Sequence, residues 1–391
     1  MASTARSLSI YLHVPFCSTK CTYCAFNTYI HLDHLIEPFV EALIAEIELV
    51  GAGASAYRVD TVFFGGGTPS LLTPSQFERI TAALRASFCI ADDAEWSLEA
   101  NPADLDRDYL AALRSLGLNR LSIGMQSANA NELALFNRRH DNDAVSRAFF
   151  AARSAGFTSI NLDLIYGFPH QTLESWQLTL EQALLLQPDH VSLYALGLEE
   201  GTSMHAWVER GRLPAPDDDL TADMYELASD MLIGAGLEQY EISNWARIGH
   251  RCRHNLQYWF NGEYLGLGPG AHGFAAGVRY VVLRSPQRYI ARLLETDERE
   301  WIFPVTPAVE TVVPVDRSTE IAETLIMSLR LTEHGIDRAA FSQRFGIDLL
   351  ELHGDVIRRH EAMGLLLVDA ERVRISQRGR LLSNLVFRDL V

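Results

Sequence analysis

The amino-acid sequence predicts an α/β protein, in which a partial (βα)6 TIM-like barrel is followed by a C-terminal winged-helix-like α+β domain. Strand-like and helix-like segments alternate over about the first 200 residues, and such alternation indicates a parallel sheet with right-handed crossovers. The alternation then ends, and helices with a small hairpin close the chain. At 391 residues the chain is also too long for one average domain.

The elements of the barrel follow from hydrophobic periodicity and from capping residues. Thr73 and Pro74 read as a cap and a first-turn proline, and Gly117 and Gly156 each follow the end of a helix. The predicted strands are Leu8–Val14, Asp60–Phe64, Trp96–Glu99, Arg120–Gly124, Ser159–Ile165 and His190–Leu196. The predicted helices are Glu37–Val50, Thr73–Phe88, Asp104–Leu116, Asp141–Ala155 and Leu173–Leu186.

The second half of the chain has a less regular pattern. A loop rich in proline and aspartate precedes a predicted helix at Leu220–Gly234, and Glu241–Phe274 is expected to be irregular. Helices follow from Ser318, and Val368–Ile375 resembles a hairpin, which together give the order of a winged helix. We therefore expect a barrel over residues 1–205, a connecting segment over 206–310 and a winged-helix-like domain over 311–391.

Composition and charge exclude several classes of protein. The formal net charge of −17 argues against a nucleic-acid partner, which would need a basic face. No apolar run reaches the 18 residues that a membrane-spanning helix needs. Five cysteines are too few for a disulfide framework, and no apolar signal segment precedes them, so reduced thiols and a cytoplasmic location are expected.

Three of the cysteines, Cys17, Cys21 and Cys24, form a C-x3-C-x2-C loop directly after the first predicted strand. A loop this tight can aim three thiolates at one point. Four-iron clusters are normally held by four thiolates, so three would leave one iron open to a ligand that is not a residue. The alternatives are inert thiols and a structural zinc site. Zinc would need four closed ligands, and only Cys89 and Cys252 remain, each alone and far along the chain.

Other informative residues also fall at the ends of predicted strands. In barrels of parallel strands, functional groups lie on the loops after the strand C-termini. Glycines at such a place let the backbone approach a ligand and expose its N–H groups, although a tight turn alone explains them equally well. These residues are the triple glycine Gly65–Gly67 after the second strand, Glu99 at the end of the third, Gln126 after the fourth and Asp163 in the fifth.

This arrangement resembles the radical S-adenosylmethionine (SAM) superfamily, in which SAM chelates the open iron through its amino and carboxylate groups. The string Tyr11-x-His-x-Pro-Phe16 is similar to that of the oxygen-independent coproporphyrinogen III oxidases and the related HemW heme chaperones. The resemblance implies a radical SAM barrel with a [4Fe-4S] cluster on the three cysteines. It further implies that SAM is bound by Tyr11, Tyr23, Gly66, Gly67, Thr68, Glu99, Gln126, Arg138 and Asp163.

Three features favour the chaperone branch of this family. The oxidases carry a further cysteine two residues after the last cluster ligand, where this chain has Phe26, and they carry a long extension before a loop that here begins at Cys17. The string from His254 to Trp259 matches the H-N-x-x-Y-W signature of the HemW chaperones. A neutral imidazole is a good axial ligand for heme iron, so His254 is the predicted heme ligand and His272 the second choice. A buried core histidine is the alternative reading of His254.

The resemblance implies a cytoplasmic heme chaperone that carries a [4Fe-4S] cluster and SAM and passes heme to an acceptor protein, with a respiratory heme protein as one option. We expect no catalytic residue of a coproporphyrinogen oxidase. The first alternative is oxidative decarboxylation of coproporphyrinogen III, and the second is a radical SAM enzyme with another substrate. A homodimer is compatible with the resemblance.

Overall fold

A sheet of 12 strands forms the centre of the fold, and its middle is made by the six predicted barrel strands. The computed structural model describes residues 5–295 and 301–390. The six strands are β1 (Arg6–Val14), β2 (Tyr57–Gly66), β3 (Ile90–Ala100), β4 (Arg120–Gln126), β5 (Ser159–Tyr166) and β6 (His190–Ala195). They pair in chain order and in parallel, which confirms the predicted (βα)6 unit.

Helices connect these strands and cover the outside of the sheet. Thr73 begins the second helix with a capping box, since its hydroxyl accepts from the Gln76 N–H and the Gln76 side chain accepts from the Thr73 N–H. The predicted helix start at Asp104 is wrong, because Pro102–Asp104 forms a separate 3-10 turn and Asp106 caps the helix. The helices are α1 (Ile36–Gly51), α2 (Pro74–Ser87), α3 (Arg107–Ser115), α4 (Ala130–Leu135), α5 (Asn142–Ser154) and α6 (Leu173–Leu185).

The irregular stretch predicted over Glu241–Phe274 is wrong, because these residues contain three strands and a helix. Strands of three or four residues are too short to show an alternating pattern in the sequence. The second half contributes β7 (Glu238–Glu241), β8 (Asn244–Ala246), β9 (Tyr264–Leu267), β10 (His272–Ala275), β11 (Val278–Val282) and β12 (Val309–Pro314). The expected domain boundaries at residues 205 and 310 stay predictions.

These strands extend both edges of the barrel sheet. β9 pairs in parallel with β1 and continues through β10 and β11 to β12, while β8 pairs antiparallel with β6 and carries β7. Among the described residues, β1 and β6 therefore do not pair with each other, and the barrel is open. The extension places β9 and β10 beside the loop that follows β1, where the three cysteines lie.

The helices of the second half are α7 (Ser203–Glu209), α8 (Asp218–Gly234), α9 (Arg253–Trp259) and α10 (Pro286–Leu294). Helix α9 carries the H-N-x-x-Y-W string, and its first turn rests on β3. The backbone N–H groups of Arg253 and His254 each donate to the Glu95 carboxylate at 3.0 Å. A carboxylate at a helix N-terminus accepts N–H groups that have no partner inside the helix.

The C-terminal part has a separate hydrophobic core, in which Leu325, Phe341 and Val373 are buried. Its three strands pair antiparallel, with the hairpin predicted over Val368–Ile375 formed by residues 366–375. Helices before the hairpin give the order of a winged helix, as predicted. Its elements are α11 (Arg317–Ser328), β13 (Ile336–Asp337), α12 (Arg338–Phe345), α13 (Leu349–Ala362), β14 (Leu366–Val368), β15 (Arg372–Ile375), α14 (Gln377–Leu381) and α15 (Ser383–Asp389).

The two faces of β1 show where the barrel is apolar and where it is polar. Leu8, Ile10 and Leu12 are fully buried in the main hydrophobic core. The intervening Tyr11 and His13 point to the opposite face, because side chains alternate along a strand. Polar residues of the other barrel strands share that inner face, so the barrel interior is lined by groups that can bind a polar ligand. No helix in the described part of the chain is long and apolar enough to cross a membrane.

Candidate functional site

The three cysteines lie in the loop that leaves β1. The loop is closed at its base by the Cys17 N–H, which donates to the Tyr29 carbonyl at 2.9 Å. Cys17, Cys21 and Cys24 are partly exposed and free of disulfides. The loop is therefore held at its ends while its thiols stay open to an incoming group.

Two polar side chains, one from the loop after β2 and one from the loop after α4, reach these thiols. The Thr68 hydroxyl donates to Cys17 Sγ at 3.3 Å, and Arg138 Nη1 donates to Cys21 Sγ at 3.5 Å. Burial raises the pKa of Cys17, against the hydrogen bond from Thr68. Hydrogen-bond donors stabilise sulfur that carries negative charge, so the surroundings suit cluster thiolates.

The thiols do not form a finished metal site. Within residues 5–295 and 301–390, no three His, Cys, Asp or Glu side chains are close enough together to hold a metal ion. A closed zinc site would need a fourth protein ligand, and the two other cysteines do not supply it. Cys89 is exposed before β3, and Cys252 is buried, with its thiol 3.5 Å from Glu95 Oε1. The donor set fits a cluster with three protein ligands better than it fits zinc.

The glycine loop after β2 lies against the base of the cysteine loop. Gly66 has φ +112°, and a Cβ atom there would lie 2.6 Å from the His13 ring. A Cβ atom on Gly67 would lie 2.6 Å from the Phe16 carbonyl oxygen. Both positions therefore need glycine for close approach of the backbone.

Glu99 near the end of β3 and Asp163 within β5 bring two carboxyl groups into the site. Glu99 Oε2 accepts from the Gly66 N–H at 3.1 Å. Burial, and then the negative charge of Asp163, raise the pKa of Glu99 to about 8. Asp163 accepts from Ser122 Oγ at 2.7 Å and from Asn161 Nδ2 at 2.8 Å, and burial raises its pKa against these hydrogen bonds. A ligand with positive charge would stabilise both carboxylates.

Arg138 links the ends of β4 and the cysteine loop. Its Nη2 donates to the Gly124 carbonyl at 2.9 Å, and a Cβ atom on Gly124 would lie 2.9 Å from both Arg138 Nη2 and Gln126 Nε2. Gln126 ends β4 with φ +66°. Tyr23 packs edge to face on Phe136 with ring centroids 5.0 Å apart. The structure thus brings Gln126 and Arg138 together, whereas Tyr23 packs in a small apolar cluster beside them.

One cavity of about 540 Å³ opens beside these loops. A cavity of this size is in the range of small-molecule sites. Tyr11, Gly66 and Glu99 of the predicted SAM set line it, while the other six residues of that set do not. The remaining lining residues are His13, Ala25, Phe26, Asn27, Tyr258, Tyr264, Gly270, Ala271, His272, Val281 and Arg284.

His254 lies behind the wall of this cavity and is buried, with 1% of its surface exposed. Its Nδ1 is 2.7 Å from Thr61 Oγ1, and its Nε2 is 2.8 Å from the Tyr258 hydroxyl. Its ring stacks on Phe63 at 5.0 Å between centroids, and burial lowers its pKa to about 3. The imidazole is therefore neutral, as a metal ligand must be, but both of its nitrogens already have a hydrogen-bond partner.

His13 and Arg284 are among the cavity residues that the sequence predictions did not include. His13 is held by the Tyr11 hydroxyl at 3.0 Å and the Asn27 carbonyl at 3.0 Å. Its signal was present in the Tyr-x-His string before the cysteines. Arg284 is exposed between β11 and α10, and it had no signal, because only folding brings residue 284 next to the cysteine loop.

Comparison with known proteins identifies the family of this chain. The profile of the radical SAM superfamily matches residues 11–183, and that of the HemN C-terminal domain matches residues 315–382. The structure of coproporphyrinogen III oxidase (HemN) from Escherichia coli superposes with a TM-score of 0.84 at 26% identity, over 100% of this chain and 91% of that one. The fold and the site thus define a radical SAM protein of the HemN-like type, and its radical SAM domain implies a [4Fe-4S] cluster and SAM.

The relatives narrow the family further. The heme chaperone HemW of Mycobacterium tuberculosis is 38% identical over 99% of this chain and 95% of its own length. The HemW of Bacillus subtilis is 34% identical over 97% of this chain and 98% of its own length. A mouse protein, radical S-adenosyl methionine domain-containing protein 1, mitochondrial, is 37% identical over 96% of this chain. The chain belongs to the HemW subfamily of the radical SAM superfamily.

Proposed function

We propose that this chain is a heme chaperone, which binds heme in the 540 Å³ cavity and passes it to an acceptor protein. The observation that carries the proposal is the composition of that cavity. One wall has Tyr11, Gly66 and Glu99 of the radical SAM site, and another has Tyr258 of the H-N-x-x-Y-W string. Relatives with the name heme chaperone support the same function.

The cluster and SAM have assigned places in this proposal. Cys17, Cys21 and Cys24 would hold the [4Fe-4S] cluster, and SAM would bind beside it. Glu99 would contact SAM, and the loop with Gly66 would pack against its amino group and methionine portion. The remaining proposed SAM residues are Tyr11, Tyr23, Gly67, Thr68, Gln126, Arg138 and Asp163. The cluster and SAM then serve assembly or switching.

Two histidines, His254 and His272, are candidates for the ligand of the heme iron. His254 is the candidate that the sequence motif supplies, and it stays a prediction. To bind iron through Nε2 it would exchange the 2.8 Å hydrogen bond with Tyr258 for the metal. His272 lines the cavity directly.

An oxygen-independent coproporphyrinogen III oxidase is the second candidate function, favoured by the likeness to HemN. Phe26 argues against it. Phe26 stands two residues after Cys24, where the oxidases carry a cysteine, and its side chain is 70% exposed at the cavity. An apolar ring there suits contact with a macrocycle better than thiol chemistry.

The partners belong to the same proposal. An acceptor protein receives the heme, a respiratory heme protein is one acceptor of suitable chemistry, and the exchange takes place in the cytoplasm. A homodimer is compatible with it. The net charge of −17 agrees with the expectation that nucleic acid is not a partner.

An anaerobic assay separates the two functions. The reconstituted protein is titrated with heme, and separately incubated with coproporphyrinogen III, SAM and a reductant. A chaperone gives a heme absorbance spectrum that saturates and no consumption of coproporphyrinogen III. Multiple-turnover formation of protoporphyrinogen IX would establish the oxidase instead. Exchange of Phe26 for Cys is a useful control, since it tests whether that one position restores any turnover.

A further inference from the structure

His272 is placed at the cavity by a turn that the cysteine loop itself fixes. The turn Gly268–Ala271 leads into β10, with φ +93° at Gly268 and +82° at Gly270. Asn27 Nδ2 donates to the Pro269 carbonyl and to the Arg284 carbonyl, each at 2.9 Å. Asn27 thereby ties the cysteine loop to both segments that carry His272 and Arg284.

The three histidines at or behind the cavity wall differ in the hydrogen bonds that their ring nitrogens make. Both nitrogens of His13 and of His254 have hydrogen-bond partners. His272 is exposed, and no hydrogen bond to its ring occurs in the part of the chain that the structure describes. Partial burial of the ring, and then the charges of Arg284 and Arg279, lower the pKa of His272, which favours its neutral form. A neutral imidazole with an open nitrogen is the form that binds iron.

Arg284 adds a cation at the same edge of the cavity. Its guanidinium is exposed and has no ion pair with a described residue. Arg284 and His272 both line this cavity, and the positive charge of Arg284 contributes to the lowered pKa of His272. A guanidinium binds a carboxylate with paired hydrogen bonds.

Apolar side chains complete the surroundings. Phe26, Ala271 and Val281 line the cavity together with the rings of Tyr258 and Tyr264. Iron porphyrins with carboxylate groups combine a flat apolar ring, a metal that takes a nitrogen ligand, and negative charges at one edge. The cavity offers a partner for each of these three parts.

We propose that His272 binds the iron of the cargo heme and that Arg284 binds a propionate carboxylate at the cavity edge. This inference deepens the proposed function and rests on it. His254 is then a positioning residue, because its hydrogen bond holds the Tyr258 ring at the cavity wall. The heme would lie beside Tyr11, Gly66 and Glu99, so its site would adjoin the proposed SAM site.

Three related ligands test the two contacts separately. The full chain with its cluster reconstituted is titrated with hemin, with metal-free protoporphyrin IX, and with hemin whose propionates are methyl esters. His272→Ala should weaken hemin binding about tenfold or more and leave the metal-free porphyrin unchanged, since only hemin has an iron to coordinate. Arg284→Ala should weaken hemin by about tenfold and leave the dimethyl ester unchanged, since the ester has no carboxylate.

Matched variants guard against indirect effects. His34→Ala and Arg107→Ala remove exposed residues that do not line the cavity, and they should bind all three ligands as the wild type does. Each variant should also keep the iron content of its cluster, which shows that it is folded. His272→Met should keep hemin binding with a shifted absorbance spectrum, because methionine replaces imidazole as the axial ligand.

The failures of the two proposals can be told apart. A wild type that binds none of the three porphyrins overturns the proposed function. A wild type that binds hemin with an imidazole spectrum that His272→Ala leaves unchanged overturns the His272 assignment alone. If His254→Ala then removes that spectrum, the ligand is the histidine of the H-N-x-x-Y-W string.

Discussion

Arg138 Nη1 lies 3.5 Å from Cys21 Sγ while its Nη2 donates to the Gly124 carbonyl at 2.9 Å. The guanidinium thus joins the end of β4 to the cysteine loop. One positive charge next to the proposed cluster serves two purposes. It would stabilise negative charge on sulfur, and in the proposed function it would bind the carboxylate of SAM.

Arg138→Ala should weaken SAM binding by about tenfold or more without loss of the cluster, because a charge-assisted hydrogen bond is lost while the three thiols remain. The measurement is the change that SAM causes in the electron paramagnetic resonance spectrum of the reduced cluster, followed as SAM is added. Arg139→Ala is the matched control, since its side chain pairs with Asp104 at 2.8 Å on the surface. Equal weakening by both variants would contradict the assignment.

The cluster itself is tested by single cysteine exchanges. Anaerobic reconstitution with iron and sulfide should give about four irons per chain, as in a cubane cluster. Cys17→Ala, Cys21→Ala and Cys24→Ala should each abolish it. Cys89→Ala and Cys252→Ala should not, because Cys89 is exposed before β3 and Cys252 is buried against Glu95. Loss of the cluster only in Cys252→Ala would show that the ligands are assigned incorrectly.

Glu99 predicts a pH dependence of stability in the SAM-free protein. An unfolded glutamate ionises near pH 4.5, whereas burial and the charge of Asp163 raise the folded pKa of Glu99 to about 8. A raised folded pKa means that its contribution to stability is full below pH 4.5 and is lost as the pH rises to about 8. The side chain at this position in the variant Glu99→Gln cannot ionise. The melting temperature of the variant should therefore rise relative to that of the wild type between pH 5 and pH 8.

Thermal melting curves of both proteins at several pH values measure this gain. The exposed Glu78 on α2 gives the control. The melting temperature of Glu78→Gln should differ from that of the wild type by the same amount at every pH. The same Glu99→Gln variant should bind SAM more weakly, since an amide offers no negative charge to a cationic ligand. A constant difference in melting temperature across the range would mean that Glu99 is ionised throughout.

The sequence predicted the barrel well because its signals are local. Alternating segments with caps such as Thr73 define strands and helices without knowledge of the tertiary fold, and residues such as Glu99 at strand ends then share one edge of a parallel sheet. The spacing of the three cysteines is likewise a local signal. These parts depend on residues that are close in the chain.

How the other half of the cavity assembles could not be predicted, because it forms by long-range pairing. β9 pairs with β1 across more than 250 residues, and Asn27 reaches Pro269 and Arg284. The strands in this region have three to six residues, which is too few for a periodic signal. His254 shows the same limit in another form. Its motif predicted the HemW subfamily, but the hydrogen bonds to Thr61 and Tyr258 that occupy its ring depend on tertiary packing.

Glu46 anchors the turn that leads to His272 at the cavity. Glu46 lies on α1 with 1% of its surface exposed. It accepts from the Gly268 N–H at 2.9 Å, the Tyr289 hydroxyl at 2.7 Å and the Thr306 hydroxyl at 3.0 Å. Burial raises its pKa, against these hydrogen bonds. One buried carboxyl group thus satisfies three donors from segments far apart in the chain.

Glu46→Ala should lower the free energy of unfolding by about 2–5 kcal/mol, because it leaves three buried donors without an acceptor. It should also weaken hemin binding, since the Gly268 turn that positions His272 loses its anchor. Glu46→Gln keeps an acceptor oxygen and should lose less of both. Glu48→Ala, on the exposed face of the same helix, should change neither. Denaturant unfolding and hemin titration of the four proteins measure the two effects, and an unaltered hemin affinity in a clearly destabilised Glu46→Ala would show that the turn is held by other contacts.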